Sequence, residues 1–143
     1  VASNAGYIID GQTTDAPILG VLNGIFYNAA TTLKPTFANF YKQPITPANS
    51  EDIDAFVFDN PQQQYVVATD DSVAQSGYLE TYDMNTSAGS DTTGKSSATL
   101  DIGDTSGDAA TFRLLRSAED PENDENAAFR SVVVVPNLIE LQS

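Results

Sequence analysis

The chain has 143 residues, six Lys and Arg against twenty Asp and Glu, and neither Cys nor His, for a net charge of −14. This excludes a disulfide framework, the usual zinc sites and the Ser-His-Asp and Cys-His forms of nucleophilic catalysis. The six cations are scattered singly, so the basic footprint of a nucleic-acid or anionic-membrane binder is missing, and neither partner is expected. With 41% hydrophobic and 18% charged residues the chain reads as globular. One core at this length can hide roughly 68–70% of the unfolded surface without a staple. The longest apolar runs, such as Ala55–Phe58 and Val132–Val135, fall far short of the ~18 residues of a membrane helix. The opening residues lack the basic region and apolar stretch of a signal peptide, and Val1 fits either a removed initiator Met or numbering from a cleavage point.

Short runs between dense turn signals predict strands in chain order. Tyr7–Ile9 comes first, inside an extended N-terminal arm over residues 1–15, ahead of a single β domain over 16–143. Ile18–Tyr27 follows, where Gly20 and Gly24 suggest a bulge or bend, and then Thr36–Tyr41. Ile53–Asp59 and Gln64–Thr69 are rich in aromatic and β-branched residues, and Asp59-Asn60-Pro61 between them is a turn. Tyr78–Asp83, Ala98–Ile102 and Thr111–Arg116 come next; Phe112 and Leu114 alternate with Arg113, as on a half-buried strand. The last strand is Phe129–Val135, with a continuation to Leu141. No stretch sustains helical periodicity; Asp120–Phe129 makes at most a turn or two. Two loops stand out: Asn85–Ser97, long and rich in Ser, Thr and Gly, and the acidic Ser117–Asn126. The expected fold is therefore all-β, a single-domain β-barrel or β-sandwich with long polar loops.

Gly89-Ser90-Asp91-Thr92-Thr93-Gly94-Lys95-Ser96 matches the phosphate-loop pattern GxxxxGK[ST]. That chemistry needs a helix opening at the Lys to aim its N–H groups and dipole at phosphate. Here a strand-like run follows, and Asp91 would repel the anion, so no nucleotide or other cofactor is expected. The acids Asp120, Glu122 and Asp124 have alternate spacing, as do Asp52 and Asp54. Counted from Asp120, the calcium-loop positions that require Gly and Glu hold Glu125 and Ser131. Asp101, Asp104 and Asp108 sit among glycines; all three groups read as solvated turns. Paired carboxylates remain as a route to glycoside hydrolysis, but among twenty acids no pair is singled out, and the Trp platforms common in such clefts are missing. No catalytic residue and no metal ligand is assigned, and the chain is read as non-enzymatic. Phe37, Phe56, Phe58 and Phe112 are expected to fill the core.

Gly20-Val21-Leu22-Asn23-Gly24-Ile25-Phe26-Tyr27, Lys34-Pro35-Thr36-Phe37-Ala38-Asn39-Phe40-Tyr41 and Ile53-Asp54-Ala55-Phe56-Val57-Phe58-Asp59-Asn60-Pro61 occur in that order. Thr93-Gly94-Lys95-Ser96 before Ala98-Thr99-Leu100-Asp101, Leu114-Leu115-Arg116 before the acidic loop with Asp120-Pro121, and a Val-rich closing strand complete the series. From about Gly20 to Val135 the chain resembles small virion structural proteins of tailed bacteriophages. It departs from that pattern at Asn60, where a second Asp is expected, and in its few basic residues. The resemblance implies a capsid decoration or cement protein in the virion, on the capsid exterior, bound to a separate major capsid protein and forming a homotrimer at threefold positions. It also implies that the Gly-Lys-Ser loop is a family loop with no nucleotide. In this picture Tyr7, Ile8 and Ile9 anchor the arm on a neighbouring capsid subunit by strand addition. The rival is a tail or fibre protein, or a carbohydrate-binding adhesion module. Deleting Val1–Gln12 is expected to weaken attachment to capsids in a sedimentation assay without lowering thermal stability; unchanged attachment would remove the arm from the interface.

Overall fold

Alternation of inward and outward side chains, the pattern of a half-buried strand, is clearest over Pro35–Ala38, Asp54–Phe58 and the start of Phe112–Ser117. The computed structural model describes residues 2–4, 7–9, 17–42, 44–85, 87, 89–90, 92–104, 110–124 and 126–137. Among these the regular structure is eleven strands and two three-residue 3-10 turns, Ala48–Ser50 and Gln75–Gly77. The protein is all-β. The barrel alternative is not what forms: the strands make separate open sheets, and none of the sheets among the described residues closes on itself. The separate antiparallel sheets give a sandwich-like β fold. No helix among the described residues is long and apolar enough to cross a membrane.

The largest sheet is built from β6 (Tyr65–Ala68), β7 (Thr81–Tyr82), β10 (Phe112–Ser117) and β11 (Ser131–Pro136) in the order β6-β11-β10-β7, every pair antiparallel. On β10 the expected alternation holds, with Phe112 and Leu114 buried and Arg113 exposed. Leu114 lies opposite Val134, and Val132 lies opposite Val67 on β6, so one face collects the apolar side chains. Ile18, Val73 and Leu100 join Tyr82, Phe112, Leu114, Val132 and Val134 in one cluster, with Tyr65, Val67, Tyr78, Met84 and Ile102 packed around it. Leu100, Leu114, Val132 and Val134 lose all contact with solvent; each such side chain is worth about 1.5–3 kcal/mol relative to exposure. Tyr65 meets Phe112 edge to face at 6.4 Å.

Leu100 arrives on a short ribbon, β8 (Met84–Asn85) paired with β9 (Thr99–Leu100). Polar bonds hold this ribbon down. Asp70 donates its backbone N–H to the Leu100 carbonyl at 3.1 Å, and its carboxylate accepts from the Ile102 N–H at 2.9 Å. The buried Asp83 carboxylate accepts from both the N–H and the hydroxyl of Thr111, at 3.0 and 2.9 Å. The acidic connection between β10 and β11 is pinned by Asn123. Its amide donates to the carbonyls of Ala118 and Ser131 and to the Ser117 hydroxyl, and its oxygen accepts from the Ser131 N–H.

A second, three-stranded sheet has β3 (Val21–Asn28) between β4 (Pro35–Ala38) and β5 (Asp54–Phe58). The bulge expected near the glycines falls between Leu22 and Gly24. Gly20 runs so close to β5 that a Cβ there would sit 2.1 Å from the Phe58 carbonyl oxygen. The same oxygen accepts a 3.1 Å hydrogen bond from the Tyr65 hydroxyl, which ties β5 to β6 across the turn at Asn60. That turn closes as expected, through the Asn60 carbonyl and side chain.

Several boundaries differ from the sequence reading. Tyr78–Asp83 is a strand only at Thr81–Tyr82, because the 3-10 turn ending at Gly77 and Leu79 at φ 68° break the extended run. The strand expected over Thr36–Tyr41 ends at Ala38. Asp120–Phe129 forms turns, and the continuation from Leu138 to Leu141 lies outside the described residues.

Burial raises the Tyr65 phenol above its ordinary 10.0, with Asp59 adding to the shift, and burial with Glu80 does the same for Tyr82. A raised pKa means that the folded state holds its protons longer than the unfolded chain does. Stability from these groups is therefore whole below about pH 10 and declines as pH rises from there through the folded-state values. The urea midpoint is expected to drop above about pH 10. In a Tyr65→Phe, Tyr82→Phe double variant the drop should be shallower, from a lower starting stability because the bonds to the Phe58 and Gly77 carbonyls are lost. An equally steep drop would show that these phenols do not carry it.

Candidate functional site

Three of the phenylalanines assigned to the core are not in it. Phe112 is buried as expected, but Phe37, Phe56 and Phe58 are exposed, at 61%, 47% and 49%. The cause is the phase of the strands. On β5 the exposed positions are Asp54, Phe56 and Phe58, while Ala55 and Val57 turn toward the protein. On β4 Phe37 is exposed, with Thr36 and Ala38 half-buried. The aromatic residues thus share one face with a carboxylate, and the smaller Ala and Val side chains take the inner side. On β3 the inner face carries Ile25, 2% exposed, opposite both Ala38 and Ala55.

The rings are brought together by an absence on the central strand. Gly24 lies opposite Phe56, and Phe26 lies opposite Phe37. A Cβ on Gly24 would fall 2.6 Å from the tip of the Phe37 ring, so that ring occupies the space a side chain would need. Phe37 reaches over β3 to Phe56 on the far strand, with ring centroids 6.1 Å apart and planes tilted by 42°. Aromatic pairs in this range add about 0.5–1.5 kcal/mol beyond burial. The result is an apolar aromatic surface spanning all three strands and facing water.

The other sequence candidates resolve differently. Tyr7, Ile8 and Ile9 form β2 (Tyr7–Ile9), which pairs antiparallel with β1 (Ala2–Asn4), a strand the sequence reading missed. The arm is thus partly folded on itself, and this two-stranded ribbon pairs with none of the other described strands. The phosphate-loop match is a tight turn: the Lys95 carbonyl accepts from the Ser90 N–H, and the Ser90 carbonyl accepts from Gly94. Irregular chain and then β9 follow Lys95, with no helix. Gly94 is required for two reasons unrelated to phosphate. Its φ is +69°, and a Cβ would land 2.2 Å from the Phe40 ring against which it packs. Asp91 lies outside the described residues.

Three of the clustered acids accept backbone N–H groups within their own turns. Asp120 accepts from the Glu122 N–H and Asp124 from the Asn126 N–H, while Asp101 accepts from Gly103. Asp108 lies outside the described residues, and among those described no three acids stand close enough to hold a metal. Three further large apolar residues, Leu33, Leu79 and Phe129, are both strongly exposed and held at positive φ. That backbone region is unfavourable for such side chains.

No protein-family model matches the sequence, and comparison with curated proteins and with solved structures gives no match.

Gly24→Val is expected to push Phe37 off Phe56 and to cost about 1–3 kcal/mol through overpacking. Phe37→Ser should change stability by about 1 kcal/mol or less, because that ring is mainly exposed. Ring-to-ring nuclear Overhauser contacts and urea unfolding check both; a persisting Phe37–Phe56 contact in the Gly24 variant would show that the bare glycine is not what joins them.

Proposed function

We propose that the protein is a non-enzymatic virion structural protein that binds the outside of a tailed-phage head and stabilises the shell of the major capsid protein. The observation that carries this reading is the aromatic face of the three-stranded sheet. A domain that exposes Phe37, Phe56 and Phe58 side by side leaves large apolar rings in water, and such patches mark contact surfaces. Aromatic residues are also the side chains from which the energetic centres of protein interfaces are built.

Composition supports the same role. An acidic domain with no staple suits the outside of a head, whereas packaged DNA would repel it. The series of strand motifs resembling phage virion proteins contributes all three strands of this sheet, β3, β4 and β5. Cementing needs no catalysis. A copy lying across the seam between neighbouring capsid subunits adds buried area on both sides, of the order of 1,200–2,000 Å² for a standard contact. Many such contacts around a closed shell act together, so each one can be weak. A homotrimer at threefold positions is the natural arrangement where subunits meet three at a time.

The exposed rings also suit the rival reading, an adhesion module of a tail or fibre that stacks sugars on aromatic faces. Polar groups that would orient a sugar are sparse on this face: Asp54 stands beside the rings and Phe26 opposite it.

Quantitative mass spectrometry of density-purified particles decides between them. Copies near-equimolar with the major capsid protein are expected. A handful of copies per particle would move the protein to the tail or fibres, where a glycan array is the next test, and absence from particles would overturn both readings.

A further inference from the structure

The aromatic face has an acidic border. Asp54 stands on the same side of β5 as Phe56 and Phe58, two positions before Phe56. Asp59 follows Phe58 directly, and Asp52, beyond Asp54, is also exposed. Against these carboxylates stands the exposed Lys34 at the head of β4, while Lys42 lies with Tyr27 and Ala38, residues of the opposite side of the sheet. The border repeats locally what the chain shows globally, a net charge of −14.

This bears on what covers the face. In a twofold contact with a second copy, the same patch is used by both partners. Rings would meet rings, but Asp52, Asp54 and Asp59 of each copy would be brought toward those of the other, with Lys34 at the head of β4 offsetting only part of that charge. Two chains of −14 would also have to approach one another, and like charges set face to face disfavour a pairing. A partner whose apolar patch is bordered by Lys and Arg meets both features at once: it buries the rings and neutralises the rim.

We infer that the face formed by Phe37, Phe56 and Phe58 is the seat of a heterologous contact, and that its occupant is an apolar, Lys- and Arg-bordered surface of the capsid shell. The inference rests on the capsid reading above and adds to it the site and the chemistry of the partner. A homotrimer, where one forms, uses a different surface. Burial of the rings supplies the affinity. The acidic rim speeds encounter and excludes the wrong partner, a second copy of the chain included.

The test uses the full chain and heads of the same phage that lack it, with binding followed by co-sedimentation from about 50 to 500 mM NaCl, a range over which exposed charges become screened. Wild-type binding should weaken as salt rises. Phe56→Ser should weaken it about 30-fold or more at every salt concentration, as expected of a buried aromatic anchor. Asp54→Lys should weaken it several-fold at low salt and little at high salt. Urea midpoints close to wild type establish that both variants fold.

If wild type binds and Phe56→Ser and Phe37→Ser bind equally well, the inference falls while the capsid reading stands. If Asp54→Lys binds more tightly, the partner's border is acidic and the inference is wrong. If Phe56→Ser instead converts a wild-type oligomer to monomer in analytical ultracentrifugation, the face is occupied by a second copy, and the inference is again wrong. If wild type fails to bind heads at all, the capsid reading itself falls, and the inference with it.

Discussion

Everything in this molecule depends on one apolar cluster against one face of the four-stranded sheet. With no disulfide and no candidate metal ligands beyond carboxylates, the chain has no other source of cohesion on that scale. Leu114 and Val134 lie opposite each other between β10 and β11, and the remaining strands are placed by what they add to that pair. Tyr65 and Val67 extend it on β6, Tyr82 on β7, and Leu100 covers it from the β8–β9 ribbon. The polar bonds serve this packing. Asp83 and Asp70 fix the ribbon so that Leu100 stays down, and Asn123 fixes the acidic connection so that β11 begins in register.

The three-stranded sheet stands in a different relation to that cluster. On its flanking strands the inner face carries Ala38, Ala55 and Val57, small or medium side chains, beside Ile25 and Tyr27 of β3, and the outer face carries Phe37, Phe56 and Phe58. A sheet evolved for burial alone would be expected to reverse that assignment, because a phenyl ring gains more from leaving water than an alanine does. The arrangement makes physical sense when the outer face is itself buried in a complex. Gly24 then acts twice, as one flank of the β-bulge in β3 and as the gap through which two strands' rings touch.

The alternation that defines the strands was readable from residue types alone, and so were the turn at Asn60 and the bulge near Gly24. The side chains of Phe112 and Leu114 were placed correctly because Arg113 between them marks the wet face. The same rule applied to β5 gives the right answer for Phe56 and Phe58: Asp54 is in phase with both, and a carboxylate shows which side faces water. Treating aromatic residues as core by type set that signal aside. The contact between Phe37 and Phe56 was beyond reach, since it depends on β4 and β5 both pairing with β3 and on the register that sets Gly24 opposite Phe56. Strands β1 and β8 were missed for a local reason: Ala2-Ser3-Asn4 and Met84-Asn85 have neither β-branched nor aromatic side chains, and only their partners make them strands.

The position of β11 governs how the chain must fold. It lies inside the sheet, between β6 and β10, yet it is the last of the described strands in sequence. Val132 pairs with Val67, sixty-five positions earlier, so this ladder closes a long loop before it gains anything from burial. As the ribosome extends the chain, β6 emerges well before its neighbour and must wait with an open edge and unpaired backbone groups. Completion of this sheet therefore depends on the arrival of Ser131–Pro136. During the wait, exposed edges on nascent chains can pair with one another, a hazard against which mutual repulsion between highly acidic chains is a direct defence.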